Sequence, residues 1–221
     1  ANVTVPFKFE ALLYASQAGQ IRPMADTARA VNTLIFSANG VEGDNTDGIG
    51  LVRDIESNLG VSIKQKKVLI LGAGGAACGI LQPLLDAGPA QVVISNRTLA
   101  KAEEAANILA ALIAKNGSGT QCLALALDAL DTAAFDVVIN STSAGLTDSR
   151  LPLADTVFAP GSLAYDMMYG RETPFMQQAG AAGARVADGL GMLVEQAAEA
   201  FYLWHGQRPE TAPVMAALRR A

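Results

Sequence analysis

From Lys67 onward the chain alternates short apolar runs with polar, glycine-rich stretches. Val68 to Leu71 reads as a buried strand, GAGGAACG at 72–79 as a glycine turn opening a helix, and QVVIS at 91–95 as a second strand. That is one βαβ unit. Leu99, Ala102, Ala106, Leu109 and Ile113 recur at helical spacing, and Gly117 supplies a C-terminal stop. A third strand is expected from Leu123 to Leu127, a fourth at about 136–140, and another in SLAYD. This alternation predicts an α/β fold: a Rossmann-type, doubly wound parallel sheet whose ligands sit at the carboxyl ends of the strands. The loops STSAG and DMMYG would stand on that rim.

Residues 1–60 are patterned differently. NVTV reads as a short strand, Phe9 to Gln17 as a helix, VNTLIF as a second strand, and a further helix starts near Asp47. This is too little for an independent sheet, so the smaller α/β part is expected to be incomplete. Near the other end, GMLVEQAAEAFYLWHG predicts a helix with an apolar stripe of Leu193, Ala197, Ala200, Phe201 and Trp204, ended by Gly206 and Pro209 and packed back on the first part.

Charge and composition narrow the function classes. The 16 Lys and Arg residues against 21 Asp and Glu, a net charge of -5, argue against a nucleic-acid or anionic-membrane footprint. The greasiest stretch, Val68 to Leu85, is broken by glycines, Gln82 and Pro83, so no membrane span is expected. Cys78 and Cys122 lie far apart in apolar surroundings, which indicates neither a metal site nor a disulfide framework and fits a reducing cytoplasm. The single histidine, His205, reads as a cation at a helix C-terminus. Cys78, one turn after the glycine loop, reads as a buried filler or as a thiol activated by a helix N-terminus.

The glycine turn carries the clearest chemistry. Gly72, Ala73, Gly74, Gly75, Ala76 and Ala77 have GxGxxA spacing directly between a strand and a helix. Such a turn lets backbone amides at the positive end of a helix cradle a pyrophosphate. Where the second strand ends, cofactors without a 2′-phosphate usually meet an Asp or Glu; this chain has Ser95, Asn96, Arg97 and Thr98, with Lys101 one turn on. Arg97 and Lys101 can pair with a phosphate, which favours NADP over NAD. The other reading is a solvated cap with Thr98 as the N-cap residue.

Lys8, Asn32 in AVNTL, and Asp47 in GDNTDG are three polar groups that stand out in the first part of the chain. Taken singly they read equally as a solvated loop lysine, a strand bulge and a helix cap. Together with NVTVPFK, GAGGAA, NRTxxK, NSTSAG, YDMMY and DGLGMLVEQAA, in this order over nearly the whole chain, they closely resemble the shikimate dehydrogenase family. The resemblance implies reversible NADPH-dependent reduction of 3-dehydroshikimate to shikimate, in aromatic amino acid biosynthesis. Lys8 and Asp47 would be the catalytic pair at the hydroxyl that becomes a ketone. Thr4, Asn32, Tyr169 and Gln196 would hold the other polar groups of the substrate, and Met167 and Gly189 would line the nicotinamide side. A carboxylate nearby favours a charged Lys8 whereas burial disfavours it, and sequence does not weigh the two.

The resemblance also implies a domain plan: 1–46 as the substrate domain, 47–188 as the NADP-binding domain with its linking helix, and 189–221 as helices returning to the substrate domain. Two departures accompany it. The stretch between Lys8 and Asn32 is longer than the family's, and the chain starts at ANVTVPFK, without the strand-helix-strand portion that bears the family's carboxylate-holding serines. The expectation is a polypeptide lacking its N-terminal part, a monomer or weak homodimer, that binds NADP better than it turns over shikimate. The alternatives are a quinate/shikimate dehydrogenase, whose NAD preference Asn96 and Arg97 oppose, and a non-catalytic dinucleotide-binding fragment.

Overall fold

A computed structural model describes residues 1–130, 134–142 and 150–220. Two sheets organise them. Strands β4 (Lys67–Leu71), β5 (Gln91–Ser95), β6 (Gln121–Leu125), β7 (Phe135–Asn140), β8 (Phe158–Asp166) and β9 (Arg185–Ala187) form one sheet, all parallel, in the order β6-β5-β4-β7-β8-β9. This is the doubly wound arrangement that the alternating pattern predicts. The central strands are continuous apolar runs because both faces are covered. Val68, Ile70, Val92, Ile94, Val137 and Ile139 pack on one side, and Leu69, Leu71, Val93 and Val138 on the other. Helices α4 (Gly75–Asp86) and α5 (Leu99–Asn116) follow β4 and β5, and Gly117 ends α5 in the left-handed conformation. The β6 strand begins two residues earlier than its apolar letters suggest.

The first 58 residues hold a sheet of their own, which corrects the expectation that they are too few. Strands β1 (Gly19–Ile21), β2 (Thr33–Ser37) and β3 (Gly40–Asp44) are ordered β1-β3-β2, with β2 antiparallel and β1 parallel to β3. Helix α1 (Lys8–Ala18) and α2 (Pro23–Ala28) flank it, and the longer stretch after Lys8 becomes β1 and α2 rather than a surface connection. NVTV contributes only a single bridge, Asn2 to Thr33. The core here is small: Ala11, Ala15, Ala25, Val31, Leu34 and Val41.

Helix α3 (Asp47–Arg53) leads into one π-helical turn, Asp54–Asn58, and joins the two sheets. It crosses α7 (Leu190–His205) at very short range: a Cβ on Gly50 would lie 2.7 Å from the Gln196 amide nitrogen. Trp204 donates its indole N–H to the Leu34 carbonyl at 3.0 Å, so α7 packs back on the small sheet. The buried face of α7 differs from the expected stripe. It comprises Met192, Val194, Glu195, Ala198, Glu199 and Ala200, while Ala197 and Phe201 are exposed. The two glutamates are buried because Arg208 spans them, at 2.6 Å to Glu195 and 2.5 Å to Glu199, and Arg53 adds a second cation at 2.9 Å from Glu199. Buried carboxylates paired in this way cannot be told from surface ones by hydropathy. Helix α6 (Pro174–Ala181) packs on β8 and β9, and α8 (Ala212–Leu218) on α7.

Candidate functional site

Two helix starts bring their first side chains together. Lys8 opens α1, Asp47 opens α3, and the Lys8 Nζ donates to Asp47 Oδ2 at 2.5 Å with both side chains largely covered. Asp47 is aimed by the residues before it. Asp44 Oδ1 accepts the Asn45 amide at 2.8 Å, Asn45 Oδ1 accepts the Asp47 amide at 3.1 Å, and Asn45 Nδ2 donates to the Ala30 carbonyl at 3.0 Å. Side chains that bond the backbone two residues on are how Asp and Asn build turns. The bonds of the Asp47 carboxylate go to Lys8 and Asn32, so it is more than a helix cap.

Asn32 is the hub. It precedes β2 rather than lying inside it, is 2% exposed, and uses both ends of its amide. Its Oδ1 accepts from the Thr46 amide at 2.9 Å and the Thr33 hydroxyl at 2.8 Å. Its Nδ2 is shared among Asp47 Oδ1 at 2.8 Å, Thr46 Oγ1 at 3.1 Å and Gln196 Oε1 at 3.3 Å. Thr46, fully buried, is a site residue that the sequence reading passes over, although it stands inside GDNTDG. Gln196 is fixed from its own helix by donating to the Leu193 carbonyl at 2.8 Å.

These groups open into a cleft of about 460 Å³. Thr4, Lys8, Asn32 and Asp47 form one wall and Gln196 projects from α7. Met167, Tyr169 and Gly189 come from the carboxyl edge of the large sheet, and Ala76 from the glycine turn. All the expected substrate-side residues therefore share one recess with part of the expected cofactor set. Another polar recess, about 530 Å³, lies at the opposite ends of β4, β5 and β6 around Lys67, Gln91 and Gln121, away from this chemistry.

The rest of the cofactor set borders β4 and β5. Gly72 adopts a positive φ of 102°, and a Cβ there would meet the Ser141 hydroxyl at 2.7 Å. Only glycine suits that turn. Gly74 and Gly75 are different: a Cβ on either would meet nothing within 4 Å, so their bareness serves no packing need of the protein. It leaves the first-turn amides of α4, Gly74 being its N-cap, open to an anion. Ala73 is half-buried beside them. At the end of β5 no carboxylate intervenes. Arg97 and Lys101 are exposed with no side-chain partner among the described residues, and Asn96 Nδ2 donates to the Thr98 carbonyl at 3.0 Å. Thr98 occupies the N-cap position of α5, but its hydroxyl makes no capping bond.

The residues expected on the nicotinamide side are tied to the strand ends. The Met167 amide donates to the Asn140 carbonyl at 3.0 Å, and a Cβ on Gly189 would collide with the Met167 carbonyl oxygen. Buried Asp166 accepts from the Thr173 hydroxyl at 2.5 Å and from the Met168 amide at 3.0 Å, holding the DMMYG loop. Ser143 to Gly145 of the STSAG loop lie outside the described residues. Cys78 is half-buried and burial pushes its thiol up, against the activated reading; burial raises Cys122 to about 11. His205 ends α7 and packs its ring on Phe201 at 4.4 Å between centroids. Among the described residues no group of three or more His, Cys, Asp or Glu stands where it could hold a metal ion, and no helix is long and apolar enough to cross a membrane.

The family model described as Shikimate / quinate 5-dehydrogenase matches residues 54–147, and that described as Shikimate 5'-dehydrogenase C-terminal domain matches 189–219. The chain is 59% identical to shikimate dehydrogenase (NADP(+)) of Methylobacillus flagellatus over all of its length and 78% of that protein's. An Ael1 enzyme from Pseudomonas putida superposes with a TM-score of 0.88 at 45% identity, covering 98% of this chain and 77% of that one. Shikimate 5-dehydrogenase of Thermus thermophilus, solved with NADP(H) and shikimate, gives 0.82 at 31% identity, with 99% and 77% covered.

Proposed function

The chain belongs to the shikimate dehydrogenase family, and on that footing we propose that it is an NADP-dependent shikimate dehydrogenase, interconverting shikimate and 3-dehydroshikimate in aromatic amino acid biosynthesis. The single observation that carries this reading is the cleft in which the Lys8–Asp47 pair faces Met167 and Gly189. NADP(H), when bound, supplies the redox equivalent. The bare amides at Gly74, Gly75 and Ala76 would hold its pyrophosphate and Arg97, Thr98 and Lys101 its 2′-phosphate, with Asn96 shaping that turn and Gly72 and Ala73 giving the backbone its path.

The protein's own residues do the rest. As the substrate carbonyl gains electrons, negative charge grows on its oxygen; the Lys8 ammonium stabilises that charge and donates the proton, and in the reverse direction the pair receives it. Asp47 aims the ammonium and takes the substrate hydroxyl as donor. Thr4, Asn32, Tyr169 and Gln196 orient the remaining polar groups of the substrate, so that the reacting carbon stands beside Met167 and Gly189. We assign residues 47–188 to the nucleotide-binding domain with its linking helix, which Asp47 opens toward the substrate, and 1–46 with 189–221 to the substrate side, acting as a cytoplasmic monomer or weak homodimer. The intact Lys8–Asp47 contact favours an enzyme over a binding module without turnover.

Absorbance at 340 nm with shikimate and NADP tests the assignment: turnover is expected with NADP and far less with NAD. Lys8→Ala should lower kcat about 10²- to 10⁴-fold while NADP affinity, read by fluorescence titration, holds. Unchanged turnover in that variant would refute the role of Lys8.

A further inference from the structure

Behind the cleft, a second polar group is buried without lining it. Tyr165, fully buried on β8, donates its hydroxyl to Asp54 Oδ2 at 2.6 Å and accepts the Met192 amide at 3.2 Å. Asp54 is 4% exposed and its other oxygen accepts from Asn58 at 3.0 Å. Burial, then the facing carboxylate, pushes the Tyr165 hydroxyl far above its ordinary range, so it stays a donor. Tyr165 belongs to the apolar core that also holds Leu51, Ile55, Ile80 and Leu163. A buried carboxylate costs more than an apolar residue of the same size, and what it adds is direction.

The direction it sets is that of α7. A Cβ on Gly191 would collide with the Asp54 carboxylate, so the first turn of α7 rests directly on that charge. A negative group there suits the positive helix end, and the Tyr165 oxygen satisfies one of the first-turn amides. Helix α3 begins at Asp47 and Asp54 follows it directly, while α7 meets Asp54 at Gly191 and carries Gln196 further along. The two helices are thus tied at one end of their crossing by Asn32, Asp47 and Gln196 and at the other by Asp54, Tyr165 and Met192.

We propose that Asp54 and Tyr165 are positioning residues for the reaction: their hydrogen bond sets α7 against the end of β8, and so fixes Gln196 on the substrate side relative to Met167 and Gly189 on the cofactor side. Neither residue lines the cleft; both act through α7. The inference rests on the reading of the cleft given above.

Four variants test it in the shikimate and NADP assay. Tyr165→Phe keeps the ring and deletes only the hydroxyl; kcat should fall about tenfold or more, since sub-ångström misplacement is enough to cost that, with NADP affinity within about twofold of the parent. Asp54→Asn keeps an oxygen that can accept from Tyr165 and should lose less than Tyr165→Phe. Gly191→Ala should lower kcat, and Asp54→Ala in the same chain should restore part of it by removing the clash. Unchanged kcat in Tyr165→Phe, parallel losses of kcat and NADP affinity, or no relief in the double variant would each overturn the proposal. Melting curves identify a variant that has lost its fold, in which case Asp54→Asn decides. A parent chain that oxidises no shikimate would instead overturn the reading of the cleft, and this inference with it.

Discussion

The wall of the cleft around Lys8 and the wall formed outside it by the glycine turn and the end of β5 treat their polar groups in opposite ways. On the substrate side Lys8, Asn32, Thr46, Asp47 and Gln196 bond to one another and are mostly withdrawn from water. On the nucleotide side Arg97 and Lys101 stand exposed without a side-chain partner among the described residues, and Gly74 and Gly75 have no contact that a Cβ would disturb. The first wall has its order built into the folded chain. The second leaves ordering to whatever binds. A substitution on the first wall should therefore change turnover and stability together, and one on the second should change cofactor affinity alone.

The sharpest break of that contrast is Asp47→Asn. It keeps the shape and removes the charge that aims Lys8, so kcat should fall about a hundredfold or more with NADP affinity unchanged, measured at 340 nm and by fluorescence titration. Next comes the opposite wall: Arg97→Ala should raise the KM for NADP about tenfold or more, leave that for NAD alone, and not move the melting temperature. An equal effect on both cofactors would show that Arg97 does not meet the 2′-phosphate. Asn32→Ala should lower stability by roughly 1–3 kcal/mol, because it strands the Thr46 amide and its neighbours, and the melting temperature should fall by about 2–4 °C per kcal/mol.

The smallest effect concerns Asp44, whose carboxyl burial holds above its ordinary value of 3.8 despite Arg22 nearby. A raised folded value means that its stabilising contribution is complete below 3.8 and is lost as pH rises through the raised value. Asp44→Asn should thus be favourable by less than about 1 kcal/mol near neutrality and neutral in acid, read from urea unfolding at the two pH values.

Local patterns explain which parts of this molecule are legible in its sequence. Continuous apolar strands followed by a glycine turn announce β4, α4 and β5, because both faces of a parallel sheet are buried and the helix that follows has its own period. Lys8, Asn32 and Asp47 are recognisable through their motifs, although their bonds to one another join distant segments. The sheet of β1, β2 and β3 is harder to see, since its strands are short and interrupted by Gly19, Gly40 and Gly43. A signal for it does exist: Asn39-Gly40 between VNTLIF and VEGD is a hairpin turn, and β2 and β3 close around Ala38 and Asn39. Glu195, Glu199 and Asp54 give no local sign of burial, because each is made tolerable by a partner elsewhere in the chain, such as Arg208 for the two glutamates.

Gln196 meets Asn32 across 164 residues of chain. During synthesis the strands from β4 to β9 emerge before α7 and have apolar faces to bury among themselves, but the hydrogen-bonded hub has no helix to receive until all of those strands have left the ribosome. Catalytic competence consequently arrives later than the large sheet, and a ribosome-bound nascent chain ending before residue 190 would carry its glycine turn without a finished place for the sugar-like acid.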